Sequence, residues 1–134
     1  MKTQGEAEGQ ISSDFSKLYS EIFGRGPTAI RVNSMNNIVV VVSQNILSNA
    51  DKMLILTEVG RKLMIDIRKG LIGSSEGYLT EMVHGATGEK VNNIHHDFST
   101  TDGEEAFLFS LGGVPHYRLN GNGKPKVTWR GAIV

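Results

Sequence analysis

The stretch GEKVNNIHHDFSTTDGEEAFLFSL, residues 88–111, decides the fold because it has the pattern of a β-hairpin. Four positions mark its first strand: Val91, Ile94, His96 and Phe98. Three apolar positions alternate along its second strand: Phe107, Phe109 and Leu111. Alternation with a period of two is typical of a strand with one buried face. Between the strands, Thr101-Asp102-Gly103 predicts a turn, because Gly adopts positive φ without a steric penalty.

The composition limits the class of protein. With 134 residues the chain is long enough for one domain with a substantial core. Lys plus Arg and Asp plus Glu number 14 each, so the formal net charge is 0, whereas nucleic-acid-binding domains normally carry a basic excess. The sequence has no cysteine, which excludes disulfides, thiolate catalysis and cysteine-ligated zinc. The N-terminus lacks the apolar core of a signal peptide, and no apolar run is long enough to cross a membrane. We therefore expect a soluble, cytoplasmic protein that does not insert into a membrane or bind nucleic acid.

The first quarter of the chain predicts a helix and then a strand. Apolar residues at steps of three and four form one helical stripe: Ile11, Phe15, Leu18, Tyr19, Ile22 and Phe23. We expect residues 1–8 to be frayed or to form the loose start of this helix. Gly24-Arg25-Gly26-Pro27 ends it, because Gly suits the left-handed position after a helix and Pro cannot continue the turn. A half-buried strand follows from Thr28 to Ser34.

Residues 38–42, IVVVV, predict a second strand of this first hairpin, after a turn at Asn36-Asn37. The strand is apolar at every position, so both of its faces need cover. Helices would cover one face, and more of this chain or a second copy would cover the other. We therefore take Ile38, Val40 and Val42 as the candidate interface of a homo-oligomer, dimeric or larger.

A long helical region is predicted from about residue 49 to residue 88. Ser48 and Asp51 fit a capping box at its start. Its apolar positions follow at helical steps: Met53, Leu56, Val59, Leu63, Ile67 and Leu71, then Tyr78, Leu79, Met82 and Val83. Three glycines between residues 70 and 77 predict a kink or break. Charged residues of alternating sign predict a solvated helix face with i,i+4 pairs: Glu58, Arg61, Lys62, Asp66, Arg68 and Lys69.

Together these elements predict an α+β fold in the order helix, β-hairpin, long helical region, β-hairpin. The sheet is antiparallel or mixed, with helices packed on one face. Residues 5–111 form a single domain. Residues 112–134 are rich in Gly, Asn and Pro and are interpreted as a loop or flexible extension, in which Lys126 to Trp129 are the candidate for an edge strand.

The densest group of polar residues lies on the second hairpin, and two of them are candidate metal ligands. His95 and Asp97 are two residues apart on a strand and share a face, while His96 points the other way. A metal would need a further ligand, from His84, His116 or Asp102. Because two ligands fall short of a usual coordination set, a solvated strand face is favoured. We predict no metal and no cofactor.

An anion or small ligand is the second chemical possibility. The candidate binding residues are Arg25, Arg61, Asp97, Ser99, Thr100 and Asp102. Arg25 lies between glycines, but this motif follows a helix, whereas anion sites use helix N-termini, so a helix stop is favoured. The turn before Gly103 is more typical of side-chain-stabilised turns than of ligand sites. No Ser-His-acid set, metalloprotease signature or nucleotide-binding glycine pattern is present, so we predict that the protein is not an enzyme.

Three segments, taken in order, resemble a known bacterial family. They are residues 23–27 (FGRGP), residues 57–61 (TEVGR) and the stretch from Thr87 to Leu111. They are similar to the MpsC-like component of the sodium-translocating membrane-potential-generating system, formerly a domain of unknown function, over residues 5–111. The matching positions are Gly24, Arg25, Gly26, Pro27, Gly60, Arg61, Gly88, Asp97, Ser99 and Thr100. No catalytic residue is implied.

The resemblance implies a soluble accessory protein associated with a membrane system for cation-coupled inorganic-carbon uptake. Our first hypothesis is therefore a non-enzymatic accessory or regulatory subunit that self-associates and reaches the membrane through a transport-protein partner. The alternative is a module that senses a small ligand or anion such as bicarbonate, phosphate or a nucleotide. A metal-dependent enzyme built on His95 and Asp97 is a third hypothesis.

Overall fold

The two predicted hairpins join into one four-stranded antiparallel sheet, as a computed structural model of the chain shows for residues 1–119. The elements follow the predicted order: α1 (Gln4–Phe23), β1 (Ala29–Met35), β2 (Ile38–Gln44), α2 (Asn49–Leu54), α3 (Glu58–Ser74), α4 (Glu76–Thr87), β3 (Val91–Ser99) and β4 (Glu104–Leu111). The fold is α+β, as the sequence predicts. The predicted strand at Lys126 to Trp129 lies outside the described residues.

The strand order is β1-β2-β4-β3, so the inner strand of each hairpin pairs with the inner strand of the other. Across this seam Val41 pairs with Phe107 and Val39 with Phe109. The first hairpin turns at Asn36, whose φ is 51°, and the second at Gly103, whose φ is 64°. Both turns form where the sequence predicts them, because Asn and Gly tolerate the left-handed region.

The helices pack on one face of this sheet, and the core lies between them. Val39, Val41, Phe107 and Phe109 project into this core and are essentially inaccessible to solvent. The ring of Phe15, on α1, lies 5.0 Å from that of Phe107, in a tilted contact. The alternation of Phe107, Phe109 and Leu111 in the sequence therefore identifies the buried face of β4 correctly.

The N-terminus forms the start of the helix, one of the two predicted alternatives, but this start is capped rather than loose. Residues 1–8 are not a frayed end: α1 begins at Gln4, and Thr3 and Glu6 form a reciprocal capping box. The Gln4 side chain donates to the Ser34 carbonyl at 2.6 Å, and the Glu8 carboxylate accepts from the Ser34 N–H at 2.9 Å. These two polar residues are buried because they satisfy backbone groups of β1, which apolar periodicity alone does not reveal.

The central helical region follows its predicted signals. Ser48 and Asp51 form the predicted capping box of α2. The predicted break occurs at Ser75, which separates α3 from α4. After β4 the chain returns to its beginning, where the Arg118 N–H donates to the Lys2 carbonyl at 2.7 Å.

Candidate functional site

Five large apolar residues on α2, α3 and the turn between them face outward. Val59, Leu63 and Ile67 recur every four residues on α3 and are 80%, 50% and 49% exposed. Met53 and Leu56, just before them in the chain, are also exposed. We name these five residues the α3 ridge. An amphipathic helix normally turns such a stripe towards the core. The sequence pattern therefore identifies the apolar stripe but does not show that it faces outward.

A line of residues next to the ridge, offset from it by one position, faces the protein, and its buried members are Gly60, Met64, Arg68 and Ile72. Gly60 allows the start of α3 to lie directly on the end of α2. A Cβ at this position would be 1.8 Å from the Leu54 carbonyl oxygen. Only glycine therefore fits here without a backbone shift, which gives this residue of the TEVGR segment a structural role.

Arg68 corrects the prediction that all the charged residues of α3 lie on a solvated face. It is 2% exposed, and its guanidinium carbon lies 4.2 Å from the ring centroid of Phe23 and 4.8 Å from that of Phe98. Contact with two aromatic faces is favourable for a desolvated guanidinium. The predicted i,i+4 pairing is present further out, where Lys62 and Asp66 are 3.1 Å apart and exposed.

Beneath α3, Arg68 belongs to a group of buried polar side chains that we name the ionic cluster: Tyr19, Asp51, Arg68, His96 and Glu105. Glu105 is fully buried, and its Oε1 lies 3.6 Å from Arg68 Nη1. Its other oxygen, Oε2, lies 2.6 Å from His96 Nε2. Arg68 Nη2 lies 3.5 Å from Asp51 Oδ2 and donates to the Ile46 carbonyl at 3.3 Å.

Tyr19 completes the ionic cluster by donating its hydroxyl proton to Glu105 Oε1. Burial, followed by the negative charge of Glu105, raises the pKa of Tyr19 well above its usual range. The phenol therefore remains a neutral donor at physiological pH. The ionic cluster links α1, α2, α3, β3 and β4, so it holds the helix that carries the α3 ridge at a fixed place on the sheet.

Sequence reasoning missed the ionic cluster, although two signals for it exist. Glu105 is two residues before Phe107, so strand alternation places it on the buried face. Arg68 is four residues from Met64 and from Ile72, so helical periodicity places it on the buried side of α3. Each signal was obscured because charged residues are usually taken to be exposed.

The two arginines that are candidate anion ligands each donate to backbone carbonyls, and anion binding by either of them stays a prediction. Arg25 donates to the carbonyls of Leu47 and Asn45, the latter at 3.1 Å, and so holds the segment that follows β2. Arg61 donates to the carbonyl of Ile55 at 2.9 Å and so supports the turn between α2 and α3. These hydrogen bonds satisfy part of each guanidinium group within the chain.

The remaining predicted ligand residues lie at the end of β3 and in the turn after it. Asp97 is exposed and accepts from the Phe98 N–H at 2.9 Å. Ser99 accepts from the Asp102 N–H at 3.2 Å, a side-chain-stabilised turn, with half-buried Thr100 between them. Ligand binding here stays a prediction, which a thermal-shift screen with bicarbonate, phosphate and nucleotides would check.

His95 and Asp97 share the exposed face of β3, while His96 points to the helices, as strand alternation predicts. Among residues 1–119, no group of three or more His, Cys, Asp or Glu side chains is arranged to hold a metal ion.

A second outward apolar surface lies on the sheet, opposite the helices. We name it the open sheet face: Ile38, Val40, Val42, Ala106 and Leu108. These residues are half-buried, since neighbouring strands screen them from the sides. A shallow depression of about 250 Å³ lies beside Val40 and Leu108. The predicted interface of Ile38, Val40 and Val42 thus lies on one surface, but self-association through it stays a prediction.

Comparison with known proteins gives a family match over most of the chain. Residues 3–112 match the family described as "Na+-translocating membrane potential-generating system (MpsC)". The chain is also 26% identical over 110 residues to a Bacillus subtilis (strain 168) protein described as "Uncharacterized protein YbcI". That alignment covers 82% of this chain and 89% of the relative. No solved structure matches. Within the described residues, no helix combines the length and apolar character needed to cross a bilayer.

Proposed function

The chain belongs to the MpsC family, and from this membership we propose that it is a non-enzymatic, cytoplasmic accessory protein of a membrane-potential-generating system. It acts by binding other protein chains rather than by chemistry of its own. It reaches the membrane through a protein partner, in a system for cation-coupled inorganic-carbon uptake.

The observation that carries this proposal is the α3 ridge. Five large apolar side chains that are half to four-fifths exposed present on the order of 500 Å² of apolar surface, which is near the upper end for the largest patch on a monomer. Apolar patches of this size usually mark binding surfaces. Three of the five residues lie on α3, which contacts the sheet through the ionic cluster.

A non-enzymatic role is supported by what the polar side chains do. Arg25 and Arg61 donate to backbone carbonyls, and Arg68 lies against Glu105 within the protein. Tyr19 and His96 also bind Glu105. These polar groups thus make contacts that hold the elements of the fold together.

Co-sedimentation with membranes tests the proposal. The purified full-length chain is mixed with membranes from cells that produce the other components of the system, and with membranes from cells that lack them. We expect sedimentation with the first membranes only. Loss of this difference would contradict the proposed association.

Two leucine variants link the association to a surface. Leu63→Glu places a charge in the middle of the α3 ridge, whereas Leu119→Glu makes the same change at a leucine of similar exposure, 52%, outside it. If the ridge carries binding, Leu63→Glu weakens sedimentation at least tenfold and Leu119→Glu does not. Val40→Glu tests the open sheet face in the same assay.

A further inference from the structure

We propose that the α3 ridge is covered by the α3 ridge of a second copy of this chain, with the two α3 helices antiparallel and Leu63 at the two-fold axis. This rests on the proposed function, because it names the occupant of the surface that carries it.

The size of the ridge fits half of such an interface. A stable interface buries about 800 Å² on each partner. The ridge supplies roughly 500 Å² of apolar surface, and the flanks of a 17-residue helix supply polar surface around it. The open sheet face is a weaker candidate for this role, since its side chains are already half-buried by neighbouring strands.

Two-fold symmetry about Leu63 brings residues of complementary size together. In an antiparallel pair, a residue n positions after Leu63 faces the residue n positions before it in the other copy. Val59 then faces Ile67 of the second copy, and Leu63 faces its own equivalent.

The charged flank of the ridge does not oppose this pairing. Lys62 and Asp66 lie on it within one helical turn of each other, and both are exposed. A second copy therefore meets both signs of charge on this flank. Like-charge repulsion between identical surfaces is the usual obstacle to self-association, and this flank is locally neutral.

Single cysteines test the arrangement, because the sequence contains none. The full-length variants Leu63→Cys, Val59→Cys and Ile67→Cys are oxidised separately and in pairs. We expect Leu63→Cys to form a disulfide-linked dimer by itself. Val59→Cys and Ile67→Cys are expected to cross-link only when mixed, since in the antiparallel pair each lies about 12 Å along the helix from its own equivalent, beyond the 7 Å Cα separation that a disulfide spans.

Solution mass, measured by light scattering or sedimentation velocity, provides the second readout. We expect the wild type and Leu119→Glu to be dimers at micromolar concentration, and Leu63→Glu to dissociate at least tenfold more readily. Circular dichroism shows whether each variant is folded.

Three outcomes would overturn the inference. One is a wild-type monomer at 100 µM, the second is equally efficient self-cross-linking of all three cysteine variants, and the third is a dimer that Leu63→Glu leaves intact. The membrane assay separates this inference from the proposed function. If the wild type is a monomer but Leu63→Glu still abolishes co-sedimentation, the ridge binds the membrane system directly and only the second copy is wrong.

Discussion

Glu105 shows that alternation along a strand can outweigh the preference of a carboxylate for water. It is fully buried because Phe107, two residues later, shares its face. Arg68, His96 and the Tyr19 hydroxyl surround the carboxylate and satisfy its two oxygens. Burying an ion pair costs several kcal/mol in desolvation, so the pair is better regarded as fixing the position of α3 than as a source of net stability.

Replacing Glu105 alone should lower the free energy of unfolding more than replacing both Glu105 and Arg68. Glu105→Gln leaves buried Arg68 with only Asp51, which is partly exposed, as a countercharge, and we expect a loss of about 3 kcal/mol in the free energy of unfolding. Combining it with Arg68→Met should restore part of that loss, since the two residues are in contact. Urea denaturation of the single and double variants measures the coupling energy.

The matched control for this experiment is Glu104→Gln, a change of the same kind on the adjacent residue of the same strand. Glu104 points to the other face of the sheet, and we expect a change within about 0.5 kcal/mol. If Glu105→Gln were equally mild, the ionic cluster would not fix α3.

Tyr19 should lower the free energy of unfolding at alkaline pH. Its pKa in the folded protein is raised by burial and by Glu105, whereas the unfolded chain ionises near pH 10. The contribution of this raised pKa to the free energy of unfolding is therefore complete below pH 10 and is lost as the pH rises above it. Between pH 10 and pH 11 this single residue should remove about 1 kcal/mol.

The measurement is urea denaturation at pH 9, 10 and 11. Tyr19→Phe should reduce the pH-dependent loss of stability by that amount. Exposed Tyr78→Phe is the control and should retain the pH dependence of the wild type. Identical pH profiles for Tyr19→Phe and the wild type would contradict the assignment.

Among the elements, the strands were easier to predict from the sequence than the side of α3 that faces the protein. The hairpins follow from alternation and from turn residues such as Asn36 and Gly103, which act locally. α3 carries two lines of residues at four-residue steps, one through Leu63 and one through Met64. The line through Leu63 is the more apolar, because Gly60 and Arg68 interrupt the other. Tertiary contacts with Leu54, Phe23 and Phe98 decide between them, and the sequence of α3 does not contain these contacts.

Two glycine substitutions on α3 should therefore have opposite effects. Gly60→Ala places a Cβ against the Leu54 carbonyl, and we expect a loss of about 2–3 kcal/mol as α2 and α3 move apart. Gly70→Ala meets no neighbour within 4 Å and should gain about 0.5–1 kcal/mol from helix propensity. Thermal unfolding of both variants at equal, low concentration checks this, and equal effects would contradict the close packing of α2 on α3.

For the whole molecule, the sequence predicts two hairpins but not how they join. Nothing local in residues 38–44 or 104–111 specifies that β2 pairs with β4, because this contact connects segments about 60 residues apart. The pairing follows from the need to cover two apolar inner strands, and only the assembled sheet shows it. The same holds for the ionic cluster, whose members come from five different elements.

Hydrogen exchange should reproduce this architecture. Amides of β2 and β4 lie in the middle of the sheet and are expected to exchange slowest, close to the rate of global unfolding. α2 has six residues and none is fully buried, so its amides should exchange fastest among the helices. The rates are measured by NMR or mass spectrometry, and protection of α2 equal to that of β4 would contradict this order.

The pairing of β2 with β4 has a consequence while the protein is being synthesised on the ribosome. When residues 38–44 have emerged, β2 can pair with β1 on one side, but its other edge must wait for residues 104–111. At about 5–20 residues per second, synthesis of the intervening segment takes roughly 3–12 s. During that time an unpaired edge of valines is exposed, and such edges associate readily with other strands. We therefore expect the nascent chain to associate with other extended apolar segments until β4 has been synthesised.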